Sequence, residues 1–336
     1  MSNIKEYFAT SILVTVIGLT LAYFVGGVTG LAIAAMLSVL EVSLSFDNAI
    51  VNAKILKDMS DVWQKRFLTW GMLIAVFGMR LVFPVLIVSI VAGINPINAV
   101  VLASTDPVQY AAHLTAAHTV IMGFGGSFLA MVFWKYFIDE TKDVHWIAAI
   151  EHPLTVLGKI EAIQAAIVLL SSYVFSLYIE HGAQEFVIAS LFGVVTYIVT
   201  DGLKAFVGDG EESGDAAMSV AKSGFAAFMY LEVLDASFSF DGVIGALALT
   251  KNIVTIAIGL GIGAMFVRSL TILLVKKGTL AEYVFLEHSA FYAIGILALI
   301  MYVNTIHEIP EIVTGLIGVF VIAAGVISAI KAESKA

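Results

Sequence analysis

Ten apolar runs, each long enough to cross a hydrocarbon core, recur along this 336-residue chain. A core about 30 Å thick takes about 20 helical residues at 1.5 Å each. The runs fall at 10–27, 29–53, 67–93, 112–134, 160–179, 186–204, 216–248, 253–275, 285–304 and 311–330. Hydrocarbon offers no water to unpaired backbone groups, so runs of this kind fold as helices. An all-α polytopic membrane protein is therefore expected. Composition agrees: the chain is 60% hydrophobic and 13% charged, with mean hydropathy +1.00, where a soluble domain is roughly 45–50% apolar and about 25% charged. The absence of cysteine excludes disulfides, thiolate metal ligands and cysteine nucleophiles together. The first run follows Lys5 and Glu6 and lacks a clear small-residue cleavage site, so it reads as a retained helix. A net charge of -9, drawn largely from loops and buried acids, gives no reason to expect a nucleic-acid partner.

The second and seventh runs carry near copies of one acidic motif. Val39-Leu-Glu-Val-Ser-Leu-Ser-Phe-Asp-Asn-Ala-Ile50 returns 194 residues later as Val233-Leu-Asp-Ala-Ser-Phe-Ser-Phe-Asp-Gly-Val-Ile244, identical at seven of twelve positions. Glu41 pairs with Asp235 and Asp47 with Asp241. Ionisable groups at membrane depth cost several kcal/mol unless paired or wetted, so they read by default as a functional site, the alternative being acids that cap broken helices or pair with arginine in a static core.

Lysine and arginine, which favour cytoplasmic loops, set the orientation. With the N-terminus inside and ten alternating spans, fourteen of the 17 basic residues fall on the cytoplasmic side, from Lys5 through Lys54, Lys57, Lys65 and Arg66 to Lys331 and Lys335. Lys251 falls outside, and Arg80 and Arg268 lie within spans. The two motif spans then run in opposite directions. Arg80 matches Arg268, His118 matches His288, and each histidine precedes a glycine by seven residues, Gly125 or Gly295. Pro153 with Gly158 matches Pro310 with Gly315. The expected architecture is two inverted five-helix repeats, residues 1–180 with core 29–134 and residues 181–336 with core 216–304, a plan that places substrate and ion sites at the repeat interface.

Six residues separate Glu41 from Asp47, about 120° around an ideal helix, so a straight helix would not aim both at one point. Local unwinding is expected near Asn48 and Gly242, which are weak helix formers, and Ser43, Ser45, Ser237 and Ser239 offer hydroxyls or back-bond to the helix. Glu232 adds a carboxylate three residues before Asp235, although the first copy has Ser38 there. A set of oxygens without thiolate suits manganese, magnesium or calcium better than copper or zinc. Arg80 and Arg268 read as counter-ions or as packing salt bridges, and His118 and His288 as structural histidines or as parts of a proton relay. The run Gly208 to Asp215 reads as a solvated loop.

Glu41, Asp47 and Asn48 followed by Ala49, with Glu232, Asp235 and Asp241, resemble the TerC family of membrane proteins within the LysE-type exporter superfamily. The chain departs from that pattern at Gly242, where many relatives carry serine or asparagine. The resemblance covers nearly the whole length and implies a bacterial plasma-membrane protein, associated with tellurium resistance and manganese export, whose ion-handling positions are Glu41, Asp47, Asn48, Asp235 and Asp241. The reading is a secondary transporter exporting a divalent cation, most readily manganese, in exchange for protons, with no tightly bound cofactor and with both termini cytoplasmic. It is not read as an enzyme. An intramembrane aspartyl protease built on Asp47 and Asp241 leaves Glu41 and Asp235 without a role, and a non-transporting metal or pH sensor is the third reading.

Overall fold

The computed structural model describes residues 2–71, 73–140, 142–160, 162–208, 216–250, 252–277 and 283–333. Those residues are helical, with no strand among them. Helix α1 (Ser2–Leu44) contains Gly27 at φ 61 and ψ -152, a conformation open to glycine because it lacks a Cβ. There the chain reverses. A methyl placed on Gly30 would lie 2.7 Å from the Ala22 carbonyl oxygen, eight residues back, a separation of about 12 Å in a straight helix.

Contacts with α12 (Ile253–Lys277) fix the direction of both limbs. In the first limb Ser11 Oγ donates to the Met265 carbonyl at 2.7 Å and Gly18 faces Ile262. In the second limb Ser38 Oγ donates to the Gly259 carbonyl at 3.0 Å and Glu41 lies against Gly263. One limb therefore descends α12 while the other climbs it. Gly259 and Gly263 form a small-xxx-small pair that permits this close approach, since methyls there would come within 2.7 Å of Leu37 Cβ and 2.5 Å of Glu41 Cβ.

After Ser45 the chain continues as α2 (Phe46–Lys57) and α3 (Asp61–Arg66), then two π-helical segments, Phe67–Gly71 and Ile74–Val82, and α4 (Phe83–Ala92). Two short helices follow, α5 (Pro96–Thr105) and α6 (Pro107–Ala116), where the sequence reading had a loop and the start of the fourth span. Each opens on proline at its first position beneath a side-chain cap: Asn95 Oδ1 accepts from the Asn98 amide at 2.8 Å and Asp106 Oδ1 from the Gln109 amide at 3.0 Å. That pairing of cap and proline is a helix-start signal. Consequently α7 (His118–Phe137) begins at His118, not at residue 112.

Beyond it come α8 (Ala148–Leu157), α9 (Ile163–Ser176), α10 (Ala183–Gly208), α11 (Ala216–Leu249), α12, α13 (Leu286–Asn304) and α14 (Glu311–Glu333). Among the described residues, six helices are long and apolar enough to cross a membrane, with α1 as one of them, or seven if the pair Gly78–Ala92 and Pro96–Thr105, bent by 102°, makes one span. The chain is a multi-pass membrane protein. Helix α9, 14 residues long, is shorter than the expected fifth span. The acidic run at 209–215 and Lys251 lie outside the described residues.

Candidate functional site

The first acidic motif breaks where its serines predict a weak helix. Ser45, at φ -104 and ψ 15, separates α1 from α2, yet its amide still bonds the Glu41 carbonyl at 3.0 Å. The break is a kink, not an unwound segment. The second motif lies inside α11, which is continuous from Ala216 to Leu249, so the expected unwinding near Gly242 is absent.

Five elements, α1, α2, the π-helical segment Ile74–Val82, α11 and α12, meet at a buried polar cavity of about 20 Å³, above the roughly 10–15 Å³ that one water-sized occupant requires. The second limb of α1 supplies Glu41, whose Oε1 accepts from Ser45 Oγ at 2.9 Å and forms a buried ion pair with Arg80. Arg80 comes from the π-helical segment, a distortion frequent at functional sites. Helix α2 supplies Asn48 and Asn52, one turn apart on one face. Both amides donate to Asp235 Oδ1 on α11, at 2.6 Å from Asn48 and 3.0 Å from Asn52.

What these groups leave open defines the chemistry. Asn48 Oδ1, Asn52 Oδ1, Ser239 Oγ and both carboxylate oxygens of Glu232 are buried without a hydrogen-bond partner among the described residues. Asn48, Asn52 and Ser239 line the cavity with Glu41 and Asp235. Glu232 sits one turn from Asp235 on α11 and packs against the π-helical segment, where a methyl on Gly71 would lie 2.6 Å from its Oε1. Each buried acceptor without a donor costs about 1–3 kcal/mol. A hard cation satisfies several such oxygens at once, and the mixture of carboxylate, amide and hydroxyl oxygen fits calcium, magnesium or manganese.

A family model described as "Protein of unknown function (DUF475)" matches residues 46–336. The chain belongs to the DUF475 family. No curated protein and no solved structure matches it. The matched region of this DUF475 chain takes in Asp47, Asn48, Asn52, Arg80, Glu232, Asp235 and Asp241 and begins five residues after Glu41.

The expected convergence of the carboxylates on one point is not the arrangement found. No group of three or more His, Cys, Asp or Glu side chains placed to hold a metal occurs among the described residues. Asp47 lies beyond the Ser45 kink and lines a separate cavity of about 10 Å³ with Ser43 and Thr314, its Oδ1 accepting from the Asn48 amide at 2.9 Å. The roughly 120° offset of the sequence survives because the kink leaves helical phase nearly unchanged. Asp241 is on α11, but its side chain lies outside the described residues.

The remaining candidates divide between the cavity and elsewhere. Arg268 lines the cavity and donates from Nε to the Leu68 carbonyl at 3.0 Å. Ser43 and Ser237 bond back to the Val39 and Val233 carbonyls of their own helices. His118 opens α7, half-buried. His288 Nε2 lies 2.7 Å from the Val144 carbonyl oxygen and 3.7 Å from Glu151 Oε2, which places it in a different network.

That network centres on Glu151, fully buried on α8. It accepts from Lys142 Nζ at 2.8 Å, the Ile147 amide at 3.0 Å, the Trp146 amide at 3.2 Å and Tyr292 Oη at 3.2 Å. Burial works to raise the Glu151 carboxyl, but the Ile147 amide together with the hydrogen bond and charge of Lys142 outweighs it, holding the group below the ordinary carboxylate value. The network ties the connection between α7 and α9 to α13. Sequence reasoning missed Glu151 and Asn52. Asn52 carried a signal, its i+4 spacing from Asn48, and Glu151 carried a fainter one, standing two residues before Pro153 as Glu308 stands before Pro310.

Proposed function

We propose that this protein is a secondary transporter that exports a divalent metal cation, most readily manganese, in exchange for protons, through the cavity between α1, α2 and α11. One observation carries the reading: the buried amide and hydroxyl oxygens of Asn48, Asn52 and Ser239, without a donor among the described residues, face a cavity of one-ion size that Glu41 and Asp235 also line, at the junction of the two acidic motifs. The motif resemblance to the TerC family points the same way. Glu41, Asp235, Asn48, Asn52 and Ser239 would hold the ion, with Glu232 as an adjoining carboxylate and Asp47, beyond the Ser45 kink, and Asp241 as further ion-handling groups. Manganese is cargo here, and no resident cofactor is invoked.

Arg80 occupies Glu41 in the absence of cargo. An arriving cation competes for that carboxylate, so guanidinium and metal exchange places, and the ion pair limits repulsion among the acids while the site awaits cargo. A carboxylate binds either a proton or a metal, and exclusive occupancy suffices to couple the two fluxes. The architecture proposed for this is two inverted five-helix repeats with both termini cytoplasmic, in which the antiparallel limbs of α1 are the first two spans. The test is manganese flux in proteoliposomes under an imposed pH gradient. Manganese-dependent dissipation of the gradient is expected, and no flux with any divalent ion would remove the reading.

A further inference from the structure

A second, much larger space adjoins the cation cavity. Between the first limb of α1, the π-helical segment and α12 runs a groove of about 790 Å³, walled by apolar side chains such as Ile17, Leu21, Leu73 and Ile258. At one end stands Arg268, which lines both this groove and the cation cavity. Arg268 is half-buried, and its one hydrogen bond among the described residues runs from Nε to the Leu68 carbonyl. No described carboxylate lies within ion-pair distance of it, in contrast to Arg80, which is paired with Glu41. An intramembrane guanidinium without an anion is costly.

The fold indicates where that anion comes from. Arg268 lies level with Ser11, which bonds to both Met265 and Ser269. The end of α12 is about two turns away, roughly 12 Å, where the Lys276 ammonium lies 5.7 Å from the Tyr7 ring. Leu68, the carbonyl partner, is two residues after Arg66 and three after Lys65. Arg268 is therefore near the lysine-rich face, within reach of a lipid headgroup by snorkelling, and basic residues at such a face attract anionic lipid. From Arg268 the groove extends along α12 to Ile253, fifteen residues or about 22 Å, longer than the ~15 Å of one leaflet of a ~30 Å core. An acyl chain of that leaflet fits along it.

We infer that this groove binds one anionic phospholipid of the lysine-rich leaflet, its acyl chain between α1 and α12 and its phosphate on Arg268. Because Arg268 is the wall shared with the cation cavity, the bound phosphate also offsets a positive charge that repels a divalent ion next door. Anionic lipid thus raises cation affinity, a consequence that rests on the transport reading, whereas the lipid site itself does not.

The experiment has two arms on the full chain. Native mass spectrometry without metal compares retention of phosphatidylglycerol and phosphatidylcholine. The parent is expected to prefer phosphatidylglycerol about tenfold, the scale of one charge-assisted contact. Arg268→Gln should abolish the preference, Arg268→Lys should keep most of it, and Ala257→Trp, which fills the groove, should lower retention of both lipids. An unchanged preference in Arg268→Gln, or equal retention of both lipids by the parent, overturns the lipid site, and the lysine variant guards against misfolding of the glutamine one. In the second arm, manganese affinity is measured in nanodiscs of each lipid. Higher affinity in phosphatidylglycerol that Arg268→Gln removes supports the coupling, and equal affinity in both lipids overturns it. If no manganese binds in either lipid, the transport reading fails while the first arm still decides the lipid site.

Discussion

Asn52 offers the sharpest separation between a packing role and a cation-binding role. Asn52→Leu keeps side-chain volume nearly constant, so no cavity term enters. It removes the 3.0 Å bond to Asp235 Oδ1, worth about 1.5–3 kcal/mol because the acceptor is charged, and it removes the orphaned Asn52 Oδ1, whose burial costs about 1–3 kcal/mol. The two terms oppose each other, and stability without metal should change by less than about 2 kcal/mol. Cation affinity responds differently. Loss of one oxygen ligand and of the support for Asp235 should weaken binding about tenfold to a hundredfold, the scale of disturbed metal sites. If manganese at a hundred times its dissociation constant stabilises the parent by about 2.7 kcal/mol, a tenfold weaker site keeps about 1.4 kcal/mol. Thermal unfolding with and without manganese, together with calorimetric titration, measures both quantities. A variant with parental manganese affinity would refute the reasoning, and so would one destabilised by more than about 3 kcal/mol without metal, since Asn52 would then be a structural bond.

Four further outcomes follow from the geometry. Asp235→Asn should abolish measurable manganese binding, whereas Asp47→Asn, which alters the separate cavity, should leave binding within about threefold, both read by calorimetry on folded protein. Gly263→Ala places a methyl 2.5 Å from Glu41 Cβ and 2.9 Å from the Ser38 carbonyl oxygen, so it should lower thermal stability by about 1–3 kcal/mol and reduce manganese flux. Glu151 has a folded-state pKa below its unfolded value, so its stabilisation is present above the unfolded value of about 4.3 and is lost as pH falls through the folded pKa. Limited proteolysis of residues 138–158 should therefore accelerate in acid and, in Glu151→Gln, already at neutral pH. Single cysteines at Gly182 and Lys159, on a chain that otherwise has none, should label from opposite membrane faces, and labelling from one face would contradict the inverted repeat.

Helix placement was largely legible because each apolar run demands an internally bonded backbone. The reversal at Gly27 falls where the first two runs meet, at a Gly26-Gly27 pair. Helices α5 and α6 escaped the hydropathy pattern, although Asn95-Pro96 and Asp106-Pro107 carry their start signals. The π-helical segments left no such trace, since an i→i+5 ladder is selected by packing rather than composition. At the site, a counter-ion role for Arg80 and a weak point in the first motif were legible, but the partner Glu41 and the position of the break at Ser45 were not. The separation of Asp47 from Glu41 followed from their angular spacing once unwinding is not assumed. Asn52 was hidden because asparagine is neutral, and its role appears only when the orphaned oxygen opposite Asp235 is seen.

The claim that the oxygens of α2 and α11 form a divalent-cation site is tested most directly by locating manganese through its anomalous scattering in crystals of the purified protein. One peak is expected in the cavity between Asn48, Asn52 and Asp235, within about 2.0–2.6 Å of their oxygens, the range of hard-cation bonds, and with Arg80 drawn away from Glu41. A peak beside Asp47 alone, or manganese nowhere in the bundle at saturating concentration, would contradict the account.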